Sequence, residues 1–270
     1  MIRCLVLLAI PAALAGQTPS TLPQALPDSE RQAAIIDAVR QKAAQYVRDL
    51  PNFVCTQETV RERDFSATGE QWKLVDTLVE QLTYFDHSEK YQVMSINGRP
   101  PGKVSHETLR NLRSSGEFGS ALNAIFRPKS KAEFQWERRD NVGSRPVDVI
   151  AYRVAKEFSG KKITWGKRSV VPGHHGWLYA DAETGSVLRL VDVDEMPAGF
   201  PIQAANFELE YGWAEIAGQR YLLPVKSQVL IQLDKVFERN VIAFTGYRKF
   251  DAAASVKFDS ETPDAAKKQP

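Results

Sequence analysis

The 270-residue chain has little cysteine and little histidine, with two residues of the first kind and four of the second. Cys4 precedes an apolar run at the N-terminus, so removal of that run would leave Cys55 alone and exclude an internal disulfide. The four histidines match none of the ligand spacings typical of zinc sites. The sequence therefore predicts neither a metal nor another cofactor.

Catalytic and nucleotide-binding motifs are also absent. The chain contains no G-x-S-x-G, no Walker loop and no G-x-G-x-x-G, which disfavours the commonest hydrolases and nucleotide enzymes. The formal net charge is only +2, and no aromatic-rich basic motif predicts nucleic acid as a partner. With 43% apolar and 10% aromatic residues, the composition is that of a folded protein and excludes a wholly disordered chain.

The chain has one long apolar run, at residues 5–15, and it is too short to cross a bilayer, which takes about 20 residues. Arg3 precedes the run, and Ala13-Leu14-Ala15 ends it with the small-x-small pattern of a signal-peptide cleavage site. We expect a signal peptide at 1–15 and a flexible leader at 16–28. The mature chain should have no transmembrane span and should be periplasmic or secreted.

Residues 29–50 predict one long N-terminal helix. Ser29 and Gln32 have the spacing of a capping box, and Pro51 ends the segment. Apolar residues recur at three- and four-residue steps, which indicates one buried stripe. The stripe consists of Ile36, Val39, Ala43, Val47 and Leu50.

Most of the remaining chain predicts β strands. In Phe207–Trp213 every odd position is apolar and every even position is Glu or Gly, as in a strand with one buried face. The expected strands are 53–64, 71–86, 89–97, 134–137, 147–157, 163–170, 176–180, 186–194, 207–213, 223–233 and 240–250. Because the turns between them are short, we expect an antiparallel meander in sequence order. The interruption at 99–132 predicts a helical insertion with helices from Ser105 and Ser120, and 259–270 a polar tail.

Four stretches carry a resemblance to a known superfamily. They are Trp177–Arg189 with its Asp-Ala-Glu-Thr-Gly turn, Phe207–Tyr211, Leu223-Pro-Val225, and Phe244-x-x-Tyr247-x-x-Phe250. With the preceding helix and meander, this order resembles the half-barrel superfamily of periplasmic lipoprotein carriers of the LolA and LolB types and the sigma-factor regulator RseB. The segments at 50–57 and 116–120 most closely resemble a family of exported bacterial proteins of unassigned role.

The resemblance implies an α+β fold in a single half-barrel domain at 29–258. In such a fold the N-terminal helix packs on a curved, open antiparallel sheet. A concave sheet encloses a hollow, and strand aromatics either fill it as core or line it as a site. We therefore expect binding of a hydrophobic ligand, an acyl chain or lipoprotein anchor. The candidate residues are Trp72, Trp136, Trp177, Tyr179, Tyr211 and Trp213.

Charge supplies an alternative hypothesis. The segment 99–168 has sixteen Lys and Arg against seven Asp and Glu, whereas 181–215 has one Arg against eight Asp and Glu. Two solvated faces explain this pattern. A basic surface for an envelope protein partner also explains it, and would make the chain a scaffold or sensor.

A third hypothesis is a hydrolase with a cryptic acidic site. Glu208 and Glu210 share one strand face at a spacing that would suit a carboxylate pair, although a wet strand face looks the same. The adjacent His174 and His175 should point to opposite faces and so not chelate one ion. Cys55 in an apolar strand is typical of a buried thiol rather than a nucleophile. The acidic run Asp192, Asp194 and Glu195 lacks the pattern of a calcium loop. A non-enzymatic role is therefore favoured.

Overall fold

The computed structural model describes residues 27–66, 68–109, 112–113 and 116–250. The predicted signal peptide, nearly all of the predicted leader and the predicted polar tail lie outside these residues. Among the helices that are described, none combines the length and the hydrophobicity needed to cross a bilayer.

The first helix, α1, spans Ser29–Asp49 and has 21 residues. Its N-cap is Asp28, whose Oδ1 accepts a hydrogen bond from the Arg31 amide at 2.8 Å. The predicted capping box at Ser29 and Gln32 was therefore wrong by one residue, because the Asp28 carboxylate satisfies the first-turn amide instead. The predicted stripe is confirmed, since Val39 and Ala43 are each 2% exposed.

Twelve strands are described. They are β1 (Phe53–Asp64), β2 (Lys73–Phe85), β3 (Ser88–Ile96), β4 (Glu133–Val142), β5 (Arg145–Val154), β6 (Ile163–Trp165), β7 (Arg168–Val170), β8 (Gly173–Asp181), β9 (Val187–Glu195), β10 (Ala204–Ile216), β11 (Gln219–Gln232) and β12 (Phe237–Lys249). Ten of them form one antiparallel sheet in the order β3-β2-β1-β12-β11-β10-β9-β8-β5-β4. The expected mainly antiparallel α+β fold is confirmed.

The sheet order corrects the predicted meander. The first strand β1 pairs along most of its length with the last strand β12, and β3 and β4, which follow each other in the chain, form the two outer edges. The sheet described is therefore open. Local turn signals predict hairpins between neighbours in sequence, but they carry no information on a pairing between strands at opposite ends of the chain.

Two further local predictions needed correction. The expected strand 163–170 is a separate hairpin of β6 and β7, since Gly166 turns the chain with a φ of 58°. The helix expected from Ser105 is a single 3-10 turn at His106–Thr108. The second helix of the insertion, α2, is confirmed and spans Ser120–Phe126.

We call the sheet face against which α1 packs the inner face. Val39 of α1 joins a core with Ile150, Leu178 and Leu190. The insertion at 99–132 covers the rest of this face, because Phe118 is 1% exposed and packs against Phe53 at a ring-centroid distance of 5.1 Å. Alternating residues on the outer face form a smaller cluster around Val147, Val149 and Leu188.

Gly176 on β8 occupies a position where the backbones of β8 and β9 approach closely. A Cβ on this residue would lie 1.9 Å from the carbonyl oxygen of Val191. We expect Gly176→Ala to lower the free energy of unfolding by about 3 kcal/mol, because a backbone atom must shift to admit the methyl group. Urea denaturation measures this change.

Gly160→Ala is the matched control for this prediction. A Cβ at Gly160 would meet only the guanidinium end of Arg127, which can rotate away, so the expected loss is below about 1 kcal/mol. Equal losses in the two variants would contradict the close approach of β8 and β9.

Candidate functional site

A cleft of about 180 Å³ lies between α1, α2 and the sheet strands β9 to β11. Its wall is mostly apolar, and charged or amide side chains of α1 stand at its rim. The apolar lining consists of Ala43, Tyr46, Leu122, Val187, Tyr211 and Leu222, and the polar rim of Lys42, Gln45, Asp49 and Ser186. An engineered cavity of about 150 Å³ holds benzene, so this cleft has room for a group of that size.

The Asp-Ala-Glu-Thr-Gly turn after β8 holds α1 in place beside the cleft. Oδ1 of Asp181 accepts hydrogen bonds from the amides of Glu183 and Thr184 at 3.1 and 2.9 Å. Burial alone would raise the pKa of Asp181, but these bonds and Arg145 outweigh it and hold that pKa below its usual value. At Gly185 the turn lies close to α1. A Cβ built on this glycine would be 3.5 Å from the backbone of Ala38.

Tyr46 and Tyr211 contact each other at the wall of the cleft. Their rings meet edge to face at a centroid distance of 5.6 Å. Both hydroxyl oxygens are buried and have no hydrogen-bond partner among the described residues. Burial raises the pKa of both phenols well above the usual value, so both keep their protons at ordinary pH.

Beyond the cleft, Phe118 and α2 form a closely packed part of the core. Phe118 packs edge to face against Phe244 at 5.1 Å, and α2 buries Leu122 and Ile125 almost completely. A second cavity, near Gln57 and His106, measures only about 10 Å³, which is about the space of one water molecule.

The six aromatic residues predicted to bind a ligand do not lie together. Tyr211 lines the cleft. Trp136 is on the inner face but buried in the core, where its Nε1 donates to Oδ1 of Asp148 at 2.8 Å. Trp177 and Tyr179 pack on the outer face against the smaller cluster.

The remaining two residues of that set are near the ends of strands. Nε1 of Trp72 donates to the carbonyl of Gly69 at 2.9 Å, and Arg239 stacks on its ring. Trp213 is 49% exposed, with Arg220 stacked on it. Of the six residues, only Tyr211 is at the cleft, and ligand binding by this set stays a prediction.

Sequence reasoning missed Tyr46, which forms the α1 side of the cleft. It follows Ala43 by three residues and precedes Leu50 by four, so it lies beside the apolar stripe. A helical projection that included tyrosine among the apolar residues would have found it. Leu122 and Leu222 carry no comparable signal, because only the tertiary packing brings them to the cleft.

The two adjacent histidines point to opposite faces, as expected from strand geometry. His174 is 1% exposed, and its Nδ1 lies 2.8 Å from Oδ1 of Asp192. His175 is partly exposed and lies 3.6 Å from Glu195. Among the described residues, no group of three His, Cys, Asp or Glu side chains is arranged to hold a metal ion.

The acidic run on β9 forms a buried ion cluster rather than an open site. Nζ of Lys161 contacts Asp192 at 2.6 Å and Asp194 at 2.7 Å. Burial tends to raise the pKa of Asp192, yet the His174 hydrogen bond and the Lys161 charge hold that pKa well below its usual value. The pKa of Asp194 is raised by burial. The cluster ties the chain before the β6–β7 hairpin to the inner face.

The basic and acidic segments identified in the sequence are joined by ion pairs in the fold. Arg145 pairs with Asp181 at 2.8 Å and Arg153 with Glu195 at 3.0 Å, and Lys161 joins the same two segments. The pairs form because β5, β8 and β9 are neighbours in the sheet. The charge pattern is therefore partly internal complementarity and not only a pair of solvated faces.

Two further candidates lie in ordinary structural settings. Glu208 accepts a hydrogen bond from Arg189 at 2.8 Å, as on the wet face of a strand. Cys55 is fully buried, and burial raises the pKa of its thiol to about 12. The thiolate is the reactive form, so this burial disfavours Cys55 as a nucleophile.

Carboxylates anchor the insertion to the sheet. Glu89 of β3 accepts hydrogen bonds from the amides of Gly116 at 2.8 Å and Phe118 at 3.0 Å. Nδ1 of His106 lies 2.9 Å from Glu80, which is fully buried on β2. These bonds fix the segment that precedes α2 and thereby one wall of the cleft.

Comparisons with known proteins give matches only among solved structures, since no family model and no curated protein matches the chain. A LolA superfamily protein from Nitrosomonas europaea aligns at 11% identity and a TM-score of 0.33, covering 82% of this chain and 96% of the other. A domain from Vibrio parahaemolyticus named for outer membrane lipoprotein sorting aligns at 10% identity and 0.38, covering 86% and 99%.

The lipoprotein LppX of Mycobacterium tuberculosis aligns at 8% identity and a TM-score of 0.27, covering 80% of this chain and 95% of the other. The solved structures that match thus include the superfamily that the sequence resembles.

Lys161 provides a test of the buried ion cluster. We expect Lys161→Met to lower the free energy of unfolding by about 3–5 kcal/mol, because it leaves two buried carboxylates without their cation. Lys162→Met is the control, since Lys162 is the next residue and is exposed. Chemical denaturation of both variants measures the difference, and a similar small loss in both would count against the cluster.

Cys55 provides a test of burial near α1. In the native protein at pH 8 we expect alkylation of Cys55 by iodoacetamide at least a hundredfold slower than in urea, because the thiol is buried and protonated. Peptide mass spectrometry follows the residue specifically. Equal rates in the folded and the unfolded protein would contradict the buried position.

Proposed function

We propose that this chain is an exported, non-enzymatic envelope protein of the half-barrel type that binds a hydrophobic ligand in the cleft beneath α1. The ligand class is an acyl chain or a lipoprotein anchor. The observation that carries the proposal is the cleft itself, an open and mostly apolar cavity of about 180 Å³ beside α1. An apolar occupant gains about 25 cal/mol for each Å² of apolar surface removed from water.

The dimensions of the cleft favour a terminal segment of a chain over a whole lipid. A longer chain requires α1 to move away from the sheet. Displacing α1 breaks the apolar contacts of Val39, Ala43 and their partly buried neighbours but no sheet hydrogen bond, whereas separating two strands also breaks a ladder of backbone hydrogen bonds. We therefore assign the opening motion to α1.

The rim of the cleft suits an amphiphile. Lys42 and Asp49 are exposed on α1 at the mouth, so a polar headgroup would remain in contact with water and charged side chains. The apolar part of the ligand would extend inward between Ala43 and Tyr211. This orientation follows from the polarity of the rim and the wall.

The two alternatives have weaker support. For a scaffold that uses the basic segment, three of its sixteen cations, Arg145, Arg153 and Lys161, are already paired with carboxylates of this chain. A hydrolase would use the Glu208 carboxylate for catalysis, whereas that carboxylate accepts a hydrogen bond from Arg189. Export and a periplasmic or secreted location rest on the predicted signal peptide alone and belong to the same proposal.

The proposal predicts that Ala43→Trp weakens the binding of N-phenyl-1-naphthylamine, a neutral apolar fluorophore. The indole would occupy the cleft, because Ala43 is 2% exposed and lines its wall. We expect saturable fluorescence enhancement in the unmodified protein and at least tenfold weaker binding in the variant, measured by titration.

Ala44→Trp is the matched control, since Ala44 is the next residue on α1 and is exposed. It should bind the fluorophore as the unmodified protein does. If Ala43→Trp fails to fold, Leu222→Trp blocks the cleft from the strand side. Unchanged binding in a folded blocking variant, or no binding to the unmodified protein, would overturn the proposal.

A further inference from the structure

Five cations of the basic segment lie at one surface of the fold and make no ion pair with a described residue. They come from two turns, residues 127–131 after α2 and residues 156–162 after β5. The four lysines among them are exposed, and the arginine is partly exposed. We call this set the basic patch. It consists of Arg127, Lys129, Lys131, Lys156 and Lys162.

Contacts at Phe158 and Gly160 bring the two turns together. Nη2 of Arg127 donates to the carbonyl of Phe158 at 3.2 Å, and Nζ of Lys131 lies 4.2 Å from the centroid of the Phe158 ring. A Cβ on Gly160 would lie 2.1 Å from the same guanidinium, so Arg127 rests directly on the glycine backbone. The other three cations are each within two residues of these contacts in the chain. The five charges therefore form one surface, although β4 and β5 separate the two turns in the sequence.

Carboxylates do not cancel the charge of the basic patch. Glu133 and Glu157 are the acidic residues in and beside the two turns, and both are exposed. Lys161 lies in the second turn but is not counted, because Asp192 and Asp194 hold its ammonium group. Five cations against two carboxylates leave a net charge of +3. A local excess of positive charge attracts an anionic partner.

The kind of cation favours a lipid surface over a folded protein as that partner. Four of the five cations are lysines, and lysine is depleted at protein–protein interfaces, where arginine is enriched. A lysine ammonium on a flexible stem acts as a point charge and fixes no hydrogen-bond geometry. Such charges suit a fluid layer of anionic headgroups, which attracts clusters of basic residues.

Partly exposed aromatic rings lie beside the basic patch. Phe126, which precedes Arg127, stacks on Phe134 at a ring-centroid distance of 5.3 Å, and the guanidinium of Arg40 lies 4.7 Å from the Phe134 centroid. With Phe158, these rings pack against the core below and are partly exposed above. Cations that alternate with aromatic rings are typical of surfaces that lie in the headgroup layer of a membrane.

We propose that the basic patch docks this protein on the surface of a bilayer that contains anionic phospholipids. The lysine ammonium groups and the Arg127 guanidinium contact lipid phosphates, and the partly exposed phenylalanine rings lie at the level of the headgroups. Charge supplies the attraction, so salt releases the protein. The inference does not depend on what the cleft holds, because the patch and the cleft share no residue.

The test is co-sedimentation of the protein recovered after export with vesicles. One vesicle preparation contains phosphatidylcholine and phosphatidylglycerol at a ratio of about 2:1, and the other contains phosphatidylcholine alone. The patch variant combines Lys129→Glu, Lys156→Glu and Lys162→Glu, three exposed lysines, so the fold should be retained. Circular dichroism checks this. If the triple variant does not fold, the three substitutions are measured singly.

The matched control reverses three other exposed lysines and changes the net charge equally. It combines Lys73→Glu on β2, Lys90→Glu on β3 and Lys235→Glu in the turn between β11 and β12. All variants carry the same N-terminus, so residues of the predicted signal peptide cannot produce a difference between them. Poly-L-glutamate is added as a competitor that represents an acidic polypeptide.

We expect the unmodified protein to sediment with the anionic vesicles and not with the neutral ones. The patch variant should bind the anionic vesicles at least tenfold more weakly, whereas the control should stay within about twofold of the unmodified protein. Sodium chloride at about 0.5 M should release the unmodified protein. Binding of the fluorophore in the cleft should be the same in all three proteins.

Four results would overturn the inference and leave the proposed function untouched. They are no binding to the anionic vesicles, equal binding to both kinds of vesicle, an equal loss in the patch variant and its control, and displacement by poly-L-glutamate at equal anionic charge. The last result would assign the basic patch to an acidic polypeptide instead. Failure of fluorophore binding, by contrast, would overturn the proposed function and leave the vesicle result standing.

Discussion

The structure depends on one constraint, which is that the inner face of a ten-stranded sheet must be kept from water. A single helix of 21 residues is too short to cover such a face. Two elements therefore cover the face together, which are α1 and the insertion that carries Phe118 and α2. The cleft lies where these two covers meet, with Ala43 and Tyr46 on one side and Leu122 on the other. It is a junction between two covering elements rather than a hollow left by a single one.

The insertion can form a fixed wall because its attachment is polar as well as apolar. Glu89 holds the backbone on both sides of Glu117, and Glu80 holds His106. Hydrogen bonds to carboxylates under a cover are directional and lie in a medium of low dielectric constant, which strengthens them. The core contact of Phe118 then has one orientation, and the position of α2 follows from it. By contrast, α1 is held mainly by apolar contacts and by the turn at Gly185.

Much of the local structure could be predicted from the sequence. Alternation identified most of the strands, helical periodicity identified Val39 and Ala43, and the Ser120 segment was correctly assigned to a helix. These signals work because each depends on which side of a single element is buried. The resemblance also directed attention to the turn at Asp181, which proves to support α1.

Other features were not predictable in the same way. The pairing of β1 with β12 joins strands about as far apart as the described chain allows, and no local pattern encodes it. The role of Lys161 was not predictable, because a lysine in a turn gives no sign of two carboxylates on another strand. Of the cleft, only Tyr211 was anticipated. Its other walls come from a helix, an insertion and a strand that tertiary packing alone brings together.

The pairing of β1 with β12 also has a consequence for how the molecule is made. Among the strands described, a ribosome produces β1 first and β12 last, so the ladder that joins β3-β2-β1 to the other seven strands of the sheet cannot form until all ten have been made. Until then β1 and β11 each present an unpaired edge of backbone donors and acceptors, and such edges pair with other chains. A chain that stops before Phe237 is therefore left with separate sheets of three and six strands, each with an exposed edge.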